Sequence, residues 1–102
     1  MEPITWNTQI DGPVSETAMR AKLENLGYRV SRYVYPPGTV FPAHRHAVDK
    51  IDGVLSGRFR MQMHGKSLVL EAGDLLVVPR GVEHSAEVVG DQSVVSLDAV
   101  RI

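Results

Sequence analysis

The residues best suited to chemistry in this chain are His44, His46 and His84. His44 and His46 lie two apart in a segment that reads as a strand, so both side chains project from one face. That is the geometry two imidazoles need to share a metal ion. His84 follows just after Pro79-Arg80-Gly81, at the start of another predicted strand. If the two strands face each other across a small barrel, three neutral imidazoles converge in its interior. Imidazole serves zinc, iron, nickel and copper ions, and three of them leave coordination positions open for water or substrate. Spacing by itself leaves a second reading open, in which each His is an ordinary surface or satisfied core residue. The fourth His, His64, falls on the turn His64-Gly65-Lys66 and is expected to be solvated.

Composition narrows what surrounds such a site. The chain has 102 residues, enough for one domain with a small core. It contains no Cys, which excludes disulfides, thiolate zinc sites and iron–sulfur clusters. Eleven Lys+Arg balance twelve Asp+Glu for a net charge of -1, with no block of one sign. Neither a duplex-binding footprint nor a polybasic membrane surface is expected. No apolar run approaches the ~18–20 residues of a membrane helix. Met1-Glu2-Pro3-Ile4-Thr5-Trp6 has neither a basic region nor an apolar one, so the expected location is cytoplasmic.

The elements that must position the His side chains are mostly short strands. One helix is predicted: Ser15 caps it, Glu16 complements its dipole, and Gly27 closes it. Met19, Leu23 and Leu26 form its apolar stripe. From Tyr28 onward, strands are predicted over residues 29–35, 39–46, 50–56, 58–63, 67–71, 75–78, 84–89 and 93–102. Turn signals separate them, including Pro37-Gly38, which suits a type II turn. Recurring turns at this spacing predict an all-β antiparallel sandwich or barrel. Residues 1–27 are expected to form an extension, with its helix packed on a barrel of residues 28–102.

Two segments carry a family resemblance. Gly38-Thr-Val-Phe-Pro-Ala-His44-Arg-His46-Ala-Val-Asp-Lys50-Ile-Asp-Gly-Val-Leu-Ser-Gly57 resembles the first motif of the cupin superfamily. That motif runs Gly, five residues, His-x-His, three or four residues, Glu, six residues, Gly. Gly73-Asp-Leu-Leu-Val-Val-Pro79-Arg-Gly81-Val-Glu-His84-Ser-Ala-Glu-Val88 resembles the second, which runs Gly, five residues, Pro-x-Gly, two residues, His, three residues, Asn. Every Gly, Pro and His of both motifs stands at the family spacing. The resemblance covers about residues 28–102. It implies a double-stranded β-helix, a jelly-roll barrel of six to eight strands, with His44, His46 and His84 as ligands of a divalent Zn, Fe, Ni or Mn ion near one mouth. Homodimers are common in the family, and a homodimer is the implied assembly.

The sequence departs from that pattern at the acidic ligand. Lys50 stands where the family places Glu, and Ile51 occupies the position at the longer spacing; Val88 replaces the motif Asn. An ammonium about 6 Å from a divalent ion, at an effective dielectric of ~20, is repelled by roughly 5 kcal/mol. Three arrangements are open. Lys50 turns away to pair with Asp49 or Asp52, it points inward as an anion anchor or acid–base group, or the pocket holds no metal. Arg45 is expected to point outward. Phe59, Met61 and Met63 are expected in the core, while Tyr33 and Tyr35 share a face that lines either a pocket or a dimer interface.

The function implied is metal-dependent action on a small organic molecule, by dioxygenase-like or isomerase (enolisation) chemistry, with Lys50 as the candidate catalytic residue. The alternative is a non-catalytic small-molecule-binding or sensor domain, so whether the chain is an enzyme stays open at this stage. Neither nucleic acid nor membrane is among the expected partners.

Overall fold

In the computed structural model, which describes residues 1–102, nine strands and two helices follow one another. In order these are β1 (Glu2–Ile4), α1 (Thr8–Asp11), α2 (Glu16–Asn25), β2 (Tyr28–Tyr35), β3 (Val40–His44), β4 (Lys50–Ser56), β5 (Arg58–Met63), β6 (Lys66–Leu70), β7 (Leu75–Val78), β8 (His84–Val89) and β9 (Val94–Arg101). They form two antiparallel sheets, one ordered β1-β7-β4-β9-β2 and the other β3-β8-β5-β6. This is the expected all-β jelly-roll arrangement.

Turn chemistry sets several of these boundaries. Gly38 has φ 85° and the Thr39 N–H donates to the Pro36 carbonyl at 3.2 Å, as a type II turn requires. Gly57 has φ 81°, and a Cβ there would run into the Ser93 carbonyl oxygen, so only glycine fits between β4 and β5.

The alternation of β4 explains the layering. Lys50, Asp52 and Val54 face the four-stranded sheet, while Ile51 and Gly53 face α2. Both faces are buried. Val54 joins Phe59, Met61, Met63, Leu70, Leu76, Val78 and Val88 in the core between the sheets, so Phe59, Met61 and Met63 are core residues as expected. Ile51 joins Met19, Leu23, Leu75, Leu97 and Ala99 in a second core under the helix. At Gly53 an added Cβ would meet the Met19 sulfur at 2.7 Å, so the missing side chain lets α2 lie close on β4. The helix begins where expected, with the Ser15 hydroxyl accepting from the Ala18 N–H at 3.1 Å. None of the helices is long and apolar enough to cross a membrane.

Three elements differ from the sequence reading. Residues 1–27 hold two helices rather than one, and they also supply an edge strand, β1, paired with β7. Pro3 sits in that strand without penalty because an edge strand need not donate on its outer side. Three residues of strand and four of helix are too short for periodicity to reveal; only Asn7, whose side chain accepts from the Gln9 N–H, marks the start of α1. The segment expected as one strand to His46 ends at His44, and its pairing with β8 shifts register around Pro42.

Candidate metal centre and its cavity

His44 closes β3 and His84 opens β8, and the two are directly opposite in the antiparallel ladder. The two strands are therefore neighbours in one sheet rather than facing walls of a barrel, which corrects the expected geometry while bringing the same residues together. His46 lies beyond the strand, and the Gly81 N–H donates to its carbonyl at 2.8 Å. That bond ties the His46 segment to the Pro79–Gly81 turn that feeds His84. Asp49 secures the same turn from the other side, accepting from the Arg80 N–H at 2.8 Å.

The three imidazoles stand with ring centroids 4.3 Å (His44–His84), 4.7 Å (His44–His46) and 5.1 Å (His46–His84) apart. Each offers a ring nitrogen within 4.8 Å of those of the other two. Nδ1 of His44 lies 2.7 Å from the Pro42 carbonyl, and Nδ1 of His84 lies 3.0 Å from that of Val82. A carbonyl only accepts, so each Nδ1 carries a proton, and in the neutral ring Nε2 is the atom with the lone pair. This outer partner is the usual device for orienting a metal-binding His. Burial holds His46 below the ordinary imidazole range, aided by the nearby charges of Lys50, His44 and His84. Burial also holds His84 low, against its bond to Val82. Neutral imidazole is the ligating form, so this donor set fits a divalent transition ion.

The cavity beside them has a volume of about 190 Å³. Its other wall comes from the five-stranded sheet. Lys50 points inward and is 9% exposed, and its Nζ donates to Asp98 Oδ2 at 2.8 Å. Of the three arrangements left open for Lys50, the structure has the inward one, not the one that turns away to Asp49 or Asp52. The alternation of β4 turns it inward, Asp49 is occupied at the Arg80 turn, and Asp98 on β9 supplies the partner. Asp52, two residues on and opposite Asp98 in the ladder, is 8% exposed and also lines the cavity. It stands outside the three-His group. Burial pushes its carboxyl from 3.8 up to about 6; Asp98 pushes the same way, and Lys50 and His44 oppose.

Aromatic rings complete the cavity. Tyr35 stacks on Phe59 at 5.5 Å and meets Phe41 edge-on at 4.9 Å. Burial and the carboxylates of Asp98 and Asp52 push the Tyr35 phenol well above its ordinary value, so it stays protonated. Arg45 points out to Glu83, as expected, and His64 is exposed on its hairpin turn. Asp98 escaped the sequence reading. Its one signal is a charge at an inward position of β9, two residues after Ser96.

A family model described as a cupin domain matches residues 31–100. Among curated proteins, none matches the chain significantly. Several solved structures are similar. A Thermotoga maritima protein described as a predicted oxalate decarboxylase is 26% identical with a TM-score of 0.66, over 81% of this chain and 73% of that one. A cupin protein of Bacteroides fragilis is 26% identical with a TM-score of 0.64, over 81% of this chain and 72% of that one. A second, cupin-like protein of T. maritima is 26% identical with a TM-score of 0.66, over 74% of this chain and 57% of that one. With the family match spanning both His-bearing segments and the two-sheet fold beneath them, the chain belongs to the cupin family.

Proposed function

We propose that His44, His46 and His84 hold a divalent metal ion and that the adjoining cavity binds and converts a small organic molecule. The observation that carries this reading is the convergence of three imidazoles, two of them held by an Nδ1–H that donates to a backbone carbonyl. A divalent ion held by these three neutral ligands would keep its full charge and would supply Lewis-acid chemistry or, if redox-active, oxygen chemistry.

The chain's own groups define the rest. Lys50, held by Asp98, presents a cation to the cavity. Asp52 has no hydrogen-bond partner in the protein and burial pushes its carboxyl up to about 6, which suits it to take or return a proton at a bound molecule. Tyr35, Phe41 and Phe59 exclude water from one side. A proton carrier beside a Lewis-acid site favours enolisation or isomerisation of a carbonyl compound. Dioxygenase-like chemistry on the same enolate-forming substrates is the second reading, and oxygen consumption separates the two. The similarity to a protein described as a predicted oxalate decarboxylase supports small organic acids as the substrate class.

The test is elemental analysis of protein purified without added metal, beside His44→Ala and His84→Ala variants. Near-stoichiometric metal in the wild type, reduced at least about tenfold in the folded variants, is the expected result. Absence of metal, with ligand-induced thermal shifts undiminished in the variants, would replace this reading with a non-catalytic binding or sensor domain.

A further inference from the structure

Lys50 is an unusual lining for a cavity beside a cation site, and its surroundings define a ligand. An ammonium has three N–H donors. Here Asp98 Oδ2 is the one protein acceptor within hydrogen-bond reach, leaving two donors for whatever occupies the cavity. The neighbouring Asp52 carboxyl is 8% exposed and unpartnered, and it faces the same space. The remaining walls are aromatic or apolar, apart from the three imidazoles. A neutral ligand would leave a buried ammonium short of strong acceptors; a carboxylate satisfies it with charge-assisted bonds.

We propose that the cavity binds a small organic dianion, with one carboxylate at the three-histidine centre and the other on the Lys50 ammonium that Asp98 holds in place. This rests on the metal reading above and adds to it the substrate class and the residue that selects it. Size agrees with charge. About 190 Å³ is the volume of about six water molecules, which accommodates a short dicarboxylate. With a divalent ion present the cavity is net positive whichever form Asp52 takes, so an anion is favoured. Asp98 is a positioning residue here. It lies opposite Asp52 across the β4–β9 ladder and draws the flexible lysine stem back against the sheet, which keeps the ammonium at the wall.

The experiment uses zinc-loaded protein, with malonate as the dianionic probe and acetate as its one-carboxylate comparator, by titration calorimetry. Zinc content is measured on every sample. Lys50→Met removes the cation but leaves the half-buried Asp98 without its partner, so the double variant Lys50→Met/Asp98→Asn, which removes both charges, is the deciding protein. Lys50→Arg keeps the charge. Wild type is expected to bind malonate at least about tenfold more tightly than acetate, the contribution of a hydrogen bond to a buried charge. The double variant should retain zinc and lose that preference, and Lys50→Arg should keep most of it. A double variant that retains zinc and still prefers malonate as wild type does would overturn the inference while leaving the metal reading intact. A wild type that takes up no zinc would overturn both, and the zinc content tells the two failures apart.

Discussion

The two walls of the cavity are built on different principles. On the four-stranded sheet, His44 and His84 are each fixed by the carbonyl two residues earlier in their own segment. On the five-stranded sheet, Lys50 and Asp98 are fixed by each other across 48 residues of chain. Burial acts on both walls by disfavouring charge, with opposite results for acid and base. It lowers His46 and His84, keeping them neutral and ready to ligate, and it raises Asp52 towards neutrality. One wall is thus tuned to receive a cation, while the other keeps a charged pair that burial alone would not tolerate. A buried ion pair rarely adds stability over an apolar pair of the same shape. Its retention here fits a role in recognition.

The comparison implies that breaking the charged wall costs the metal-free protein more than breaking the imidazole wall. Asp98→Asn leaves the Lys50 ammonium without its paired carboxylate, at side-chain exposures of 11% and 20% for the two partners. The expected loss is about 3 kcal/mol in urea unfolding of chelator-treated protein. His46→Ala, a half-buried imidazole with no partner to strand, should cost less than about 1 kcal/mol in the same assay. Equal losses would remove the distinction between the walls.

A smaller effect sharpens it through pH. The Asp52 carboxyl is raised from 3.8 to about 6 on folding, so its contribution to stability is full below about pH 4 and is lost as pH rises through about 6. The imidazoles run the other way. Depressed on folding, they contribute above their ordinary value of 6.5, and that contribution is lost as pH falls through their lowered values. Comparing Asp52→Asn with wild type isolates the first trend. The variant's stability relative to wild type should grow by about 2 kcal/mol between pH 4 and pH 7.5 in metal-free protein. A difference that stays flat across this range would mean that Asp52 is not held near neutrality by its burial.

How much of this was legible before the structure divides along the same line. The imidazole wall was readable because its information is local. His44 and His46 share a short segment, His84 follows a Pro-x-Gly turn, and the glycines that reverse the chain announce themselves by type. Even so, spacing could not say that β3 and β8 are neighbours in one sheet, so the two His were expected on facing strands. The charged wall was not readable, because it depends on the register of β4 against β9. Lys50 was recognised as a departure from the family pattern, yet its partner was sought among the nearby acids Asp49 and Asp52. Asp98 sits opposite Asp52 only once the ladder has formed. Strand β1 and helix α1 were missed for a simpler reason: at three and four residues, each is too short to repeat the pattern that would reveal it.

The central claim is that three imidazoles, and no carboxylate, anchor a divalent ion. X-ray absorption at the zinc edge of zinc-loaded protein tests this most directly. It should return nitrogen ligands at about 2.0–2.1 Å with the outer-shell scattering of three imidazole rings. Fewer than three imidazoles, or a protein carboxylate bound to the ion in their place, would contradict it.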